Sequence, residues 1–169
     1  MGRRGGVMAD AMVWRPFSRT RPGDIRLLER ICRESGSESV RRHAAFLRTA
    51  VWQTKDRPDR LWCEILNDAA FYMCVRCRGH VRGVDTVVME RYHGRGWGRA
   101  LHARCVARMV AAGIPLFRFR TNRDNSALGF WLKQGARIVD VNGEDYEMEL
   151  RVPIPAPRDN AANAGEAEK

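Results

Sequence analysis

The stretch VDTVVMERYHGRGWGR, residues 84–99, constrains this chain more than any other. Residues 84–89 form an apolar run of β character. Glu90 and Arg91 turn the chain. Gly94, Gly96 and Gly98 then fall on alternate positions, directly before a segment with helical patterning. Glycines let a backbone approach a ligand closely, and the first N–H groups of a helix have no partner within it. Those donors, at the positive end of the helix dipole, suit an anion. The stretch therefore predicts a strand, a phosphate or pyrophosphate cradle, and a helix.

The elements around it follow from periodicity. Residues 12–17 read as a short strand in which Pro16 marks an edge or an end. Pro22-Gly23-Asp24 predicts a turn with Asp24 as the N-cap of a helix carrying Ile25, Leu28, Ile31 and Cys32 and stopped by Gly36. Ser35 and Glu38 have capping-box spacing for a second helix, lined by Val40, Ala44, Leu47 and Val51. Residues 61–66 and 69–77 read as a hairpin turning at Asn67-Asp68, and a third strand covers 81–89. A helix over 98–112, a strand over 116–121, a short helix over 126–134 and two strands over 136–141 and 146–152 complete the chain. The strand at 116–121 alternates apolar residues with arginine, so one of its faces is expected to be wet. The order is β-α-α-β-β-β-α-β-α-β-β. It predicts a single α/β domain built on a mixed sheet (α+β) with helices on both faces.

Two common phosphate sites do not fit. A dinucleotide fold places G-x-G-x-x-G after its first strand, with an acid about 20 residues on. Here the glycines alternate and follow the fourth strand. A P-loop needs Gly-Lys before Ser or Thr, and Gly98 is followed by Arg99-Ala100.

YHGRGWGRAL resembles the acyl-CoA pyrophosphate loop of the GNAT superfamily of N-acetyltransferases, and the element order is that of the same fold. VWRPFSRTRPGDIRLL is similar to the family's first strand and helix. DNSALGFWLKQGARIV resembles its second signature. The resemblance covers residues 11–152 and implies splayed central strands, here 84–89 and 116–121. It implies that acetyl-CoA, as co-substrate, lies in the splay. Its pantetheine arm would pair with backbone near Val88, Met89 and Glu90, and its pyrophosphate would meet His93, Gly94, Arg95, Gly96, Trp97, Gly98 and Arg99. Asn125, Phe130 and Trp131 complete the expected cofactor site. The chain departs from the family at three places. His93 stands where Gln or Arg is usual, Trp97 replaces a smaller aliphatic residue, and Trp131 stands where many members carry a tyrosine that protonates the leaving thiolate. An indole N–H donates a hydrogen bond but is no acid at neutral pH.

The reaction the resemblance implies is acetyl transfer to a primary amine by direct attack. The amine must first lose a proton, since its pKa is about 10, and the developing oxyanion needs a donor, which the resemblance implies is a backbone N–H of the fourth strand, at Val88 or a neighbour. Candidates for the acid and base are Glu90 just past the strand, Asp85 inside it, Glu64 on the neighbouring hairpin, and Tyr146; Tyr72 is a further acid candidate. Asp85 could equally be held by an arginine. His102 reads as a surface residue. Cys74, Cys77 and His80 spell C-x-x-C-x-x-H, but the spacing is cramped for a zinc site on a strand, so packed thiols and no metal are expected.

The net charge of +10 admits a rival reading as a nucleic-acid binder. Lysine occurs only at Lys55, Lys133 and Lys169, and the arginines are spread without a dense tract, which favours compositional bias. A second rival is a CoA-binding module without catalysis, motivated by His93 and Trp131. No apolar run approaches the roughly 20 residues of a membrane span. Five cysteines without framework spacing fit a reducing compartment, so the cytoplasm is expected. Residues 1–10 read as a flexible leader and 153–169, rich in Pro, Ala and polar residues, as a disordered tail. Acetyl-CoA and an amine acceptor, of small molecule or protein, are the expected partners of a monomer or homodimer.

Overall fold

The computed structural model describes residues 11–155. The expected leader at 1–10, and residues 156–169 of the expected tail, lie outside the described residues. β1 (Trp14–Pro16) leads to α1 (Pro22–Arg33) and α2 (Glu38–Gln53). The strands β2 (Leu61–Leu66), β3 (Ala70–Arg76) and β4 (Val81–Val88) follow as a meander. Then come α3 (Trp97–Ala111), β5 (Leu116–Asn122), α4 (Leu128–Lys133), β6 (Arg137–Asn142) and β7 (Asp145–Arg151). The seven strands form one sheet in the order β1-β2-β3-β4-β5-β7-β6. It is mixed: β4 and β5 run parallel, and the other neighbours are antiparallel. The element order and sheet class agree with the sequence reading.

Local chemistry accounts for the boundaries. Asn67 and Asp68 both take positive φ, 49° and 50°, the conformation a two-residue hairpin turn demands. Asp24 is not the N-cap of α1. Pro22 occupies the first helical position, its ring presetting the helical φ, and Arg21 stands at the cap. Asp24 sits one turn in and buried. Its carboxylate accepts from the Ser18 N–H at 2.8 Å and from Arg15 at 3.0 Å, tying the first strand to the first helix. The cap of α2 is Ser37, whose hydroxyl accepts from the Val40 N–H, and not Ser35, which donates to Cys32 O to close α1.

Cross-strand partners share a face of the sheet and successive residues alternate. Arg104 of α3 reaches Glu64, and Cys105 lies against Cys74, so Glu64, Tyr72 and Cys74 face α3. Gly83 pairs with Cys74 and shares that face, while Asp85 pairs with Met73 and points to the opposite side, toward α1 and α2. The core lies on both faces, with Leu28, Ile31 and Leu47 on one side and Leu101, Cys105 and Met109 on the other.

Candidate functional site: the cleft between β4 and β5

The parallel strands pair only at Val81–Phe117 and Arg82–Arg118. Beyond those two positions they diverge and open a cleft. One wall runs from Gly83 to Val88, the other from Phe117 to Asn122, and Asn125 and Trp131 line one end. Ser35, Ser37 and His43 line the end toward α1 and α2. A sheet that separates along its centre leaves backbone donors and acceptors without ladder partners, and such groups are costly unless something pairs with them.

The direction of those groups can be followed residue by residue. Met89 N–H donates to Ala69 O, toward β3. Backbone polar groups of successive strand residues point to alternate sides, so those of Val88 turn toward the cleft. The Val88 carbonyl accepts from His93 Nε2 at 2.9 Å. This contact clips the glycine turn back onto the end of β4, which gives His93 a positioning role. The expected run of free backbone ends earlier than the sequence reading had it. Met89 N–H is bonded to Ala69 O, and Glu90 N–H to Glu34 O at 2.8 Å, so neither is open to a ligand. Met89 is itself fully buried in the core.

A single turn of 3₁₀ helix, Glu90–Tyr92, follows β4. Gly94 and Gly96 then take φ of 74° and 82°, left-handed values that a side chain resists. Gly96 is the N-cap of α3 and has nothing within 4 Å of where a Cβ would stand. The first intrahelical bond at this end runs from Ala100 N–H to Gly96 O. The N–H groups of Trp97, Gly98 and Arg99 therefore have no acceptor within the helix. Trp97 is buried and stacks on Tyr92, with ring centroids 4.3 Å apart and planes at 11°. Arg91 and Arg95 lie over the Tyr92 ring. The tryptophan thus serves the rigidity of the turn, while Arg99 is exposed beside it.

The acid and base candidates separate clearly. Asp85 lines the cleft on the α1–α2 side. Among the described residues no hydrogen bond or ion pair reaches its carboxyl, so the arginine partner that was its alternative explanation is missing. Burial alone pushes its pKa up to about 7. Glu64 does not line the cleft, because β2 turns it toward α3. Tyr72 Oη donates to it at 2.7 Å, Arg104 Nε at 2.8 Å, and Arg108 stands 3.6 Å away. The same network removes Tyr72 as an acid. Its hydroxyl is committed to Glu64, and burial, then that bond, drive its pKa far above the ordinary tyrosine value. Glu90 is exposed outside the cleft, its carboxyl over Gly36. Tyr146 is half-buried on β7 under Arg123 and is not among the cleft residues.

On the other side of the sheet, Trp131 packs between Phe119 (4.6 Å) and Phe130 (5.0 Å) and borders the cleft. Phe130 supports it from behind and does not line the cleft. His102 is no surface residue: its ring stands edge-on to Trp131 at 5.5 Å, and burial lowers its pKa. Asn125 accepts from the Ala127 N–H at 2.9 Å, shaping the turn into α4. Cys74 Sγ lies 3.7 Å from Cys105 Sγ, and Cys77 donates to Val75 O. Among the described residues no three metal-ligating side chains gather. The sequence marks Ser35 only as a cap, and does not mark Ser37, His43 or Thr121 as cleft residues. The serines lie in the remote α1–α2 connection and His43 on α2, but Thr121 has a signal in the sequence: it is a hydroxyl in the apolar phase of a strand that otherwise alternates phenylalanine and arginine.

No protein-family profile matches the chain, and no curated protein matches its sequence. Solved structures do. The chain is similar to the PaiA N-acetyltransferase of Thermoplasma acidophilum, in complex with coenzyme A, at 19% identity and a TM-score of 0.68 over 83% of this chain and 99% of that one. It is similar to a GNAT-family acetyltransferase of Desulfovibrio desulfuricans at 18% identity and a TM-score of 0.69, over 85% and 100%. It is also similar to the ribosomal-protein-S18-alanine N-acetyltransferase of Escherichia coli at 14% and 0.65, over 88% and 98%. With one seven-stranded mixed sheet and four helices that match these structures over most of its length, the protein has the GNAT fold.

Proposed function

We propose that the protein transfers an acetyl group from acetyl-CoA to a primary amine. The observation that carries the reading is the splay itself: β4 and β5 part after two residue pairs, and β4 leads through a 3₁₀ turn to a helix N-terminus capped by a left-handed glycine. The residues fit the co-substrate. The N–H groups of Trp97, Gly98 and Arg99 and the open space at Gly94 and Gly96 suit a pyrophosphate. The cleft-facing backbone of β4 suits the amides of a pantetheine arm. Acetyl-CoA would supply a thioester carbonyl activated toward an amine.

The chain's own residues would do the rest. Asp85 would take the proton from the incoming ammonium, since a carboxyl near pKa 7 is matched to that transfer at neutral pH. The Val88 N–H faces the cleft and would stabilise negative charge developing on a carbonyl oxygen. Trp131 would close the apolar side of the cleft and exclude water, with no part as an acid. The amine would enter past Ser35, Ser37 and His43, on the side of the sheet where Asp85 points. Its five cysteines, without framework spacing, would stay reduced in a compartment such as the cytoplasm.

A thermal-shift series with acetyl-CoA, CoA and NAD tests the reading. Ligand at about 100 times its dissociation constant should add about 2.7 kcal/mol of stability for the two CoA species and nothing for NAD. A panel of primary amines, followed by release of free thiol, tests transfer. Absence of a shift with both CoA species would refute the reading; a shift without thiol release for any amine would leave a binding module and remove the enzyme.

A further inference from the structure

Thr121 is 5% exposed, and its hydroxyl has no hydrogen-bond partner; no other buried side-chain N or O among the described residues is in that position. A buried hydroxyl without a partner loses its hydration and gains nothing in return. Its surroundings make the omission specific. Phe117, Phe119 and Thr121 share one face of β5, and the first two pack against Trp131. Valine, with nearly the same shape, would continue that apolar row without leaving a polar atom unpaired. Thr121 also lines the cleft, beyond the point where β5 has parted from β4. It lies on the α3–α4 side of the sheet, the side of the glycine turn, whereas Asp85 lies on the other. The orphaned hydroxyl therefore belongs to the half of the cleft nearer the phosphate cradle.

We infer that Thr121 Oγ1 is a positioning donor for a carbonyl oxygen of the acyl-CoA seated between β4 and β5, and that the free protein carries an unsatisfied hydroxyl so that the bound one can satisfy it. This rests on the proposed acyl-CoA reading and adds a residue and a polarity to it. A hydroxyl can donate to either of two kinds of oxygen on such a ligand, a pantetheine amide or the thioester carbonyl. Both are carbonyl oxygens within a strand-like arm.

The consequence is an inversion of sign that a packing role does not produce. Thr121→Val should raise the melting temperature of the free protein by about 3 °C, because an unpaired buried hydroxyl is removed at constant shape. The same variant should weaken acyl-CoA binding about tenfold, because a buried carbonyl then lacks its donor. Thr121→Ser, which keeps the hydroxyl and loses a methyl group, should bind like the parent and melt lower. Isothermal titration of both variants and the parent with acetyl-CoA and with CoA reads the result. Loss with both ligands assigns the bond to a pantetheine amide, and loss with acetyl-CoA alone assigns it to the thioester carbonyl. Equal binding by Thr121→Val and the parent overturns the inference while leaving the acyl-CoA reading intact. A parent that binds neither ligand overturns the reading on which it rests.

Discussion

Two polar regions of this sheet are treated in opposite ways. On the α3 side, under β2 and β3, Glu64 accepts from Tyr72 and Arg104 and stands near Arg108, so a part-buried carboxylate is surrounded by donors. In the cleft between β4 and β5, Asp85 has neither donor nor cation among the described residues, and Thr121 has no partner at all. Both regions have arginines within reach in sequence, so composition does not separate them. Topology does. Glu64 sits on a strand paired on both edges, facing a long helix, where an unpaired charge would cost several kcal/mol. Asp85 sits on a strand whose second edge is open for most of its length. The contrast identifies the cleft as the place where partners are withheld, and a ligand is what such a place can accept.

The largest test of that contrast is Gly96→Glu. The side chain would be forced onto a backbone at φ 82° and would set a negative charge at the start of α3. The roughly 2.7 kcal/mol of stabilisation expected from saturating acetyl-CoA should vanish in a thermal-shift titration. A retained shift would move the phosphate site elsewhere.

Next in size are the two carboxylates exchanged for amides. Asp85→Asn should lower thiol release by about 10²- to 10³-fold and remove the rise in rate near pH 7. Its effect on stability has a definite sign. The folded state holds the Asp85 proton up to about pH 7, whereas the unfolded chain releases it near 4. Below about pH 4 both states are protonated and nothing differs. Stability therefore falls as pH rises from about 4 to about 7 and stays lower above it. Asp85→Asn should flatten that slope and be the more stable protein at pH 8, read by urea titration. Glu64→Gln should do the reverse: a loss of about 1–3 kcal/mol at pH 7, with turnover per folded molecule unchanged. A large loss of turnover in Glu64→Gln, with folding intact, would collapse the distinction between the two regions.

The smallest effect belongs to His93→Ala. Its ring holds the turn to the Val88 carbonyl through one exposed hydrogen bond. Losing it should weaken acetyl-CoA binding about three- to fivefold, with little change in the melting temperature of the free protein.

Much of the molecule was legible in the residues because its signals are local. The hairpin at Asn67-Asp68, the helix stop at Gly113, and the strand–glycine–helix sequence at 84–99 each depend on neighbours within a few positions. The start of α1 was misread for an equally physical reason. Asp24 has the chemistry of a cap, but Pro22 starts the helix earlier, and the aspartate is drawn to Arg15 of β1. Glu64 and Asp85 could not be ranked by spacing, because the face of the sheet that each meets depends on pairing partners far away in the chain. A one-residue shift in the register of either strand would turn its carboxylate to the other face. The bulge between Met73 and Cys74, opposite Gly83 and Asp85, is such a shift.

The sequence by itself determined the order of elements, the glycine turn with its helix start, and the mixed sheet, since backbone preference and hydrophobic period act over short range. Only the tertiary structure decided that β4 and β5 part after Arg82, that Asp85 rather than Glu64 lacks a partner, and that Thr121 is left unsatisfied. Those outcomes depend on which groups long-range pairing brings together, and on which it leaves facing an open cleft.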